Sequence, residues 1–148
     1  MQRLDQQRGS AKPLGQTVLL YNGQPAAACY HAISSGHTEA SQNVWGGQLP
    51  YLCGVDSAWD KFADGYEVTI QYSAEQVRTA LEELGLTPDD SPESWVGAST
   101  WDKAGYVRTL ELCGQMVSGL DVRKALDLRS TCFAIAWRGG QFVITTRG

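Results

Sequence analysis

Between Ser34 and Asp64 the chain shows neither the alternation of a strand nor the period of an amphipathic helix, and Gly, Ser and Asp recur throughout. Four bulky aromatics, Trp45, Tyr51, Trp59 and Phe62, interrupt this polar stretch. So long an irregular segment is uncommon inside a compact domain, because its amides and carbonyls need partners that no ladder supplies. Where one occurs, its own side chains pack it and it usually serves a function. The sequence therefore predicts an ordered excursion around which the rest must fold.

The chemically richest part overlaps this excursion and runs from Tyr30 to Tyr51, YHAISSGHTEASQNVWGGQLPY. It holds both histidines, His31 and His37, together with Ser34, Ser35, Ser41, Gly36, Gly46, Gly47, Glu39, Trp45 and Tyr51. A connecting loop does not need such a mixture of hydroxyl, acid/base, amide-presenting and aromatic groups. It reads as the wall of a binding cleft.

The flanks are more regular. Thr17 to Tyr21 (TVLLY) and Ala26 to Ile33 (AAACYHAI) are short apolar runs separated by Asn22-Gly23-Gln24-Pro25. Asn-Gly suits the positive φ angles of a type I′ turn, which predicts a β-hairpin whose second strand delivers His31. After the excursion, Tyr66 to Tyr72 alternates as a strand. Ser73 and Gln76 then have capping-box spacing for a helix over Ala74–Leu84, which Gly85 stops. Residues 86–104 are turn-rich and carry no clear element. Tyr106 to Cys113 alternates as a strand, Gly114 to Gly119 reads as a turn with room for one short pairing, and Asp121–Leu126 reads as a short helix. Phe133 to Trp137 and Gln141 to Thr145 form a hairpin across Arg138-Gly139-Gly140. With no regular βαβ alternation, the class is α+β: a mainly antiparallel sheet with hairpins, one medium helix, one short helix and a long ordered loop at the cleft. A length of 148 residues suits one domain over 16–148, preceded by a polar, flexible lead-in over 1–15.

Twelve basic against 16 acidic residues give a net charge of −4, and no Lys/Arg cluster occurs, so the footprint of a nucleic-acid binder is missing. Cys29, Cys53, Cys113 and Cys132 lie far apart without a Cys-x-x-Cys pair, which excludes zinc-ribbon and thioredoxin motifs. A chain of this length does not need disulfide staples, and free thiols are the preferred reading. No apolar run is long enough for a membrane helix, and the polar start lacks the hydrophobic core of a signal peptide.

Three chemistries can be written on the Tyr30–Tyr51 stretch. His31, His37 and Glu39 are possible metal ligands by type, but their spacing is not the helical one that puts two imidazoles on one face, so hydrogen-bonding histidines and no metal are expected. Ser34 or Ser35 with His31 or His37 makes a nucleophile and base, with the Gly36 amide near an oxyanion. No Gly-x-Ser-x-Gly elbow supports it, and hydroxyls that cap their own turns explain the serines equally well. Glu39 is a candidate general acid for glycosidic cleavage, without a motif behind it; turn chemistry around Thr38 and Ser41 is the alternative. Trp45, Tyr51 and Trp59 can stack on sugar faces, although loop aromatics more often form a small core that holds the loop.

The segment TVLLYNGQPAAACYHAISSGHTEASQNVWGGQLPYLCGVDSAWD resembles the central part of the stage II sporulation protein D and amidase-enhancer family. LCGQMVSGLDVRKALDLRSTCFAI resembles that family's Ser-Gly, short Arg/Leu helix and Leu-Arg-Ser-Thr before a strand. Two motifs in the expected order extend the resemblance over 16–148. It implies peptidoglycan remodelling outside the cytoplasmic membrane, in the cell envelope or the space between forespore and mother cell, with glycan strands as ligand. A cell-wall amidase or other sporulation proteins are further implied partners, and no cofactor is implied. His31, Ser34, Ser35, Gly36, Thr38 and Glu39 match the family's cleft stretch and are expected to contact substrate; His37 is not secured by the motif. Trp45, Gly46, Pro50 and Tyr51 match its continuation, with Trp45 and Tyr51 as aromatic contacts. The family's sporulation members are lytic transglycosylases whose catalytic glutamate lies in an upstream helical segment, in a Glu-x-Pro-like context that these 148 residues do not contain. The expectation is a chain that binds glycan but turns it over poorly, or one that enhances a cell-wall amidase without cleaving anything.

Overall fold

A computed structural model describes residues 18–148. The lead-in expected over 1–15, and Thr17 of the first apolar run, lie outside the described residues. The described chain divides into a smaller unit, 18–31 with 40–53, and a larger one, Ala32–Glu39 with Gly54–Gly148.

In the smaller unit, β1 (Leu20–Tyr21) pairs antiparallel with β2 (Gln24–Pro25). The turn is the expected Asn-Gly pair, with φ of 49° at Asn22 and 75° at Gly23. The hairpin is much shorter than expected. Residues 26–33 form no strand, because the AAACYHAI run lacks alternation and meets no partner ladder among the described residues. A five-residue helix α1 (Ser41–Trp45), absent from the sequence reading, ends at Gly46 in the left-handed region (φ 77°).

The larger unit holds two three-stranded antiparallel sheets. In chain order its elements are β3 (Glu67–Tyr72), α2 (Ala74–Glu83), β4 (Val96–Trp101), β5 (Val107–Leu112), β6 (Gln115–Ser118), α3 (Gly119–Ala125), β7 (Phe133–Arg138) and β8 (Gln141–Arg147). The sheet orders are β3-β8-β7 and β4-β5-β6. The α+β class and the antiparallel pairing are those the pattern predicted. One strand, β4, lies in the turn-rich 86–104 stretch where none was assigned; VGASTW is too small and polar to announce itself.

Local chemistry explains the boundaries. The Ser73 hydroxyl accepts the Gln76 amide at 3.2 Å and the Gln76 side chain accepts the Ser73 amide at 2.9 Å, completing the capping box of α2. Arg138 pairs directly with Gln141, so the β7–β8 turn is Gly139-Gly140 alone, both at positive φ. Likewise the turn before β6 is Cys113-Gly114, at 50° and 77°, and residues 115–118 form the extra pairing. At Gly119 a Cβ would run into the Val107 backbone, so glycine lets the start of α3 approach β5.

The core of this unit gathers Val77 and Leu81 from α2, Leu110 and Leu112 from β5, Val122 from α3, and Phe142 and Ile144 from β8. Trp95, 1% exposed, stacks on Phe142 at 5.7 Å, and Trp137 meets the same ring edge-on at 4.7 Å. The Trp95 indole N–H donates to Asp89 Oδ1 at 2.9 Å, and the Arg78 guanidinium lies 5.0 Å from its ring. The Ser91 amide and this indole hold the Asp89 carboxyl below its ordinary value.

Ser73→Ala should destabilise the protein by about 1 kcal/mol, because the Gln76 amide loses the hydroxyl that accepts it. Urea unfolding followed by circular dichroism checks this, and an unchanged midpoint would contradict it.

Candidate functional site

The Ser34–Glu39 loop lies in the larger unit and is fastened along its length. Ser34 and Ser35 are 5% and 8% exposed. The Ser34 amide and hydroxyl both donate to Asp60 Oδ2, at 2.7 and 2.6 Å, while Ser34 Oγ accepts the Gly36 amide at 3.2 Å. The Ser35 hydroxyl donates to the Ala104 carbonyl at 3.1 Å, and the Ser35 carbonyl accepts the Tyr66 hydroxyl at 2.9 Å. Burial, with Cys132 as second cause, raises the Tyr66 phenol above 10.0, which keeps it a donor. The Tyr106 hydroxyl donates to the His37 carbonyl at 2.7 Å and accepts the Ser35 amide at 3.4 Å. Beside them, burial pushes the Cys132 thiol above 9.0, so it serves as a small neutral side chain.

Further along, residues 36–38 are zipped against 55–57. The Thr38 amide donates to the Val55 carbonyl at 2.8 Å, the Val55 amide to Thr38 Oγ1 at 2.9 Å, and the Ser57 amide to the Gly36 carbonyl at 3.0 Å. His37 Nδ1 lies 2.9 Å from Asp56 Oδ1. Two glycines make this possible. Gly36 sits at φ 103°, and a Cβ at Gly54 would lie 2.8 Å from both His37 Nε2 and the Thr38 carbonyl.

Glu39 ends the loop in an ionic cluster. Its Oε2 accepts from Arg108 Nη2 at 2.5 Å, and the same nitrogen lies 2.8 Å from Asp102 Oδ2. Asp102 Oδ2 is buried and meets this cation as a charge, without the alignment of a hydrogen bond. Asp102 Oδ1 accepts the amides of Ala104 and Tyr106 at 2.8 and 3.0 Å, closing the turn that leads into β5. Arg108 is aimed there by a bulge: Thr109 pairs with Thr100 and Val107 with Trp101, which leaves Arg108 as the extra residue of β5.

The smaller unit carries His31, Trp45 and Tyr51. The Tyr51 hydroxyl accepts the Ala27 amide at 3.0 Å and its ring lies 4.7 Å from that of Tyr21. The Ser41 hydroxyl accepts the Leu49 amide at 2.8 Å and the Ser41 amide donates to the Leu52 carbonyl at 2.9 Å, folding 41–52 back on itself. His31 is exposed, and Trp45 is 62% exposed on the last turn of α1.

The structure thus brings Ser34, Ser35, Gly36, Thr38 and Glu39 into one hydrogen-bonded assembly. It does not build a Ser/His pair there: both serine hydroxyls bond Asp60 or backbone carbonyls, and the Gly36 amide is taken by Ser34. Glu39 accepts from a cation, the opposite of the proton-donating role of a general acid. Among the described residues no three His, Cys, Asp or Glu side chains group as metal ligands. Of the loop aromatics expected to form a small core, Tyr51 packs, whereas Trp45, Trp59 and Phe62 are exposed. Asp56, Asp60, Tyr66, Asp102, Tyr106 and Arg108 were not anticipated. Arg108 carried the one usable signal, since Arg108-Thr109 are two polar residues in succession inside an otherwise alternating strand.

No protein-family model matches the chain. Over 132 residues, 88% of the chain, it is 35% identical to stage II sporulation protein D of Bacillus subtilis strain 168, and 33% identical to that of Bacillus amyloliquefaciens. Its homologues over this stretch are stage II sporulation protein D. The matched stretch covers 37% of each relative, so the chain spans little more than a third of their length. A shorter match, 83 residues and 56% of the chain, is 36% identical to the amidase enhancer of Bacillus subtilis strain 168 and covers 11% of it. An alignment over 88% of the chain leaves too few residues at either end to omit 34–39.

Arg108→Met removes the cation shared by two carboxylates and should cost about 2 kcal/mol, below the range for fully buried pairs because Arg108 is partly exposed. Glu39→Gln keeps an acceptor for Arg108 and should cost about 1 kcal/mol or less. Chemical denaturation of both variants checks this, and equal losses would mean that Asp102 does not depend on the shared cation.

Proposed function

We propose that this chain serves cell-wall remodelling in sporulation or wall turnover, outside the cytoplasmic membrane, and that its ligand is the glycan strand of peptidoglycan. The observation that carries this reading is the 35% identity to stage II sporulation protein D across a span that includes the Ser34–Glu39 loop. The loop's chemistry agrees with a sugar ligand. Its backbone is already satisfied internally, so it offers a fixed polar surface suited to hydroxyl and acetamido groups. Lytic transglycosylase action requires one carboxyl group that protonates the glycosidic oxygen and then, as carboxylate, takes the C6 hydroxyl proton. Glu39, tied to Arg108, is poorly placed in chemistry for that cycle, and we expect this chain to bind glycan without cleaving it.

The second reading is a non-catalytic enhancer of a cell-wall amidase, and the 83-residue similarity to an amidase enhancer favours it. Mixed with purified peptidoglycan, the chain should co-sediment and release no 1,6-anhydro-muropeptides above background. Sedimentation no greater than with cellulose would sink the glycan reading. Anhydro products lost in Glu39→Gln would make Glu39 the acid after all. Capture of an amidase by a chain that does not sediment with peptidoglycan would favour the enhancer.

A further inference from the structure

The 3-10 turn Ala58–Phe62 presents Trp59 and Phe62 to solvent, 83% and 80% exposed, with their rings 5.9 Å apart and inclined at 43°. Water contact over two such rings is unfavourable, and paired exposed aromatics on an anchored turn mark a binding surface. The turn is anchored. Between the two rings, Asp60 points the other way, and its Oδ2 is held by the amide and hydroxyl of buried Ser34. The Asp60 amide donates to the Ser57 carbonyl and the Ala63 amide to the Asp60 carbonyl, both at 3.0 Å. The Lys61 stem lies against Gly36, where a Cβ would meet its Cε. Asp60 and Lys61 are thus tied to the Ser34–Gly36 loop while Trp59 and Phe62 stand clear of it.

We infer that Trp59 and Phe62 form a stacking shelf for one neutral N-acetylhexosamine ring of a glycan, and that Ser34 holds the shelf in place through Asp60. This rests on the glycan-binding reading and names its contact. Size argues against a protein partner: two rings offer roughly 300–500 Å² in total, whereas a standard interface needs about 800 Å² per side. The neighbours Asp56, Ser57, Asp64 and Gly65 are polar or small, and exposed Val55 adds only one small aliphatic side chain, well short of an interface. A pyranose fits these dimensions, because its C–H face stacks on the rings and its rim of hydroxyls meets acceptors. Exposed Asp56 and Asp64 supply carboxylate acceptors and exposed Lys61 a donor for such a rim. The N-acetylglucosamine unit of the strand meets these conditions. On this account Ser34 is a positioning residue.

The test titrates the chain with tri-N-acetylchitotriose, read by calorimetry and tryptophan fluorescence, alongside co-sedimentation with peptidoglycan. The wild-type chain should bind saturably. Trp59→Ala and Phe62→Ala, at exposed positions, should each weaken binding about tenfold. Trp59→Phe should retain most of the affinity while losing the fluorescence change. Asp60→Ala, which frees the turn, should weaken binding, and Asp60→Asn, which keeps an acceptor for Ser34, should restore it. A Trp59→Ala/Phe62→Ala double variant with wild-type chitotriose affinity overturns the shelf and leaves the glycan reading standing. A wild-type chain that binds neither chitotriose nor peptidoglycan overturns both.

Discussion

One guanidinium fixes the end of the site. Arg108 stands between Glu39, the last residue of the loop, and Asp102, the residue whose other oxygen closes the turn into β5. Tyr106, held by that same turn, reaches across to the His37 carbonyl. Two segments more than sixty residues apart therefore share one charge cluster and one phenol. The cluster is half-buried, so its value lies less in net stability than in geometry. A cation held by two acids gives the loop one low-energy position.

Much of the larger unit was legible because its signals are local. The Ser73–Gln76 spacing, the Gly139-Gly140 turn and the alternation of β3 and β5 each lie within a few residues of the structure they specify. β4 was not legible, since a strand of small and polar residues depends on its neighbour β5 for definition. The opposite error arose at Ala26–Ile33, where apolar residues suggested a strand but none among the described residues pairs with it. Chain composition alone does not distinguish these cases.

For the site, the sequence made the loop conspicuous but not its partners. Ser34 and Glu39 are close in the chain, yet Asp60 and Arg108, which bind them, lie 26 and 69 positions away. A single aspartate carries no mark of such a role. The hydroxyls also admitted two readings, nucleophile or scaffold, and distance decides between them: Ser34 Oγ is 2.6 Å from a carboxylate oxygen. With the amides of residues 34, 35, 36 and 38 already donated, the loop offers no backbone cradle for an oxyanion. A ligand there would meet side chains on a surface that needs little further ordering.

The bulge at Arg108 makes β5 sensitive to its length. Val107 and Leu110 both reach the core although an odd number of steps separates them, and only the extra residue between paired Val107 and Thr109 reconciles this with a pleated strand. Loss of one residue at the bulge would regularise this step of the ladder, but it would also remove the position from which a side chain can turn towards Asp102 and Glu39. Gain of one would shift Leu110 and Leu112 out of phase with Val107. This strand can therefore exchange side chains more easily than it can change its residue count.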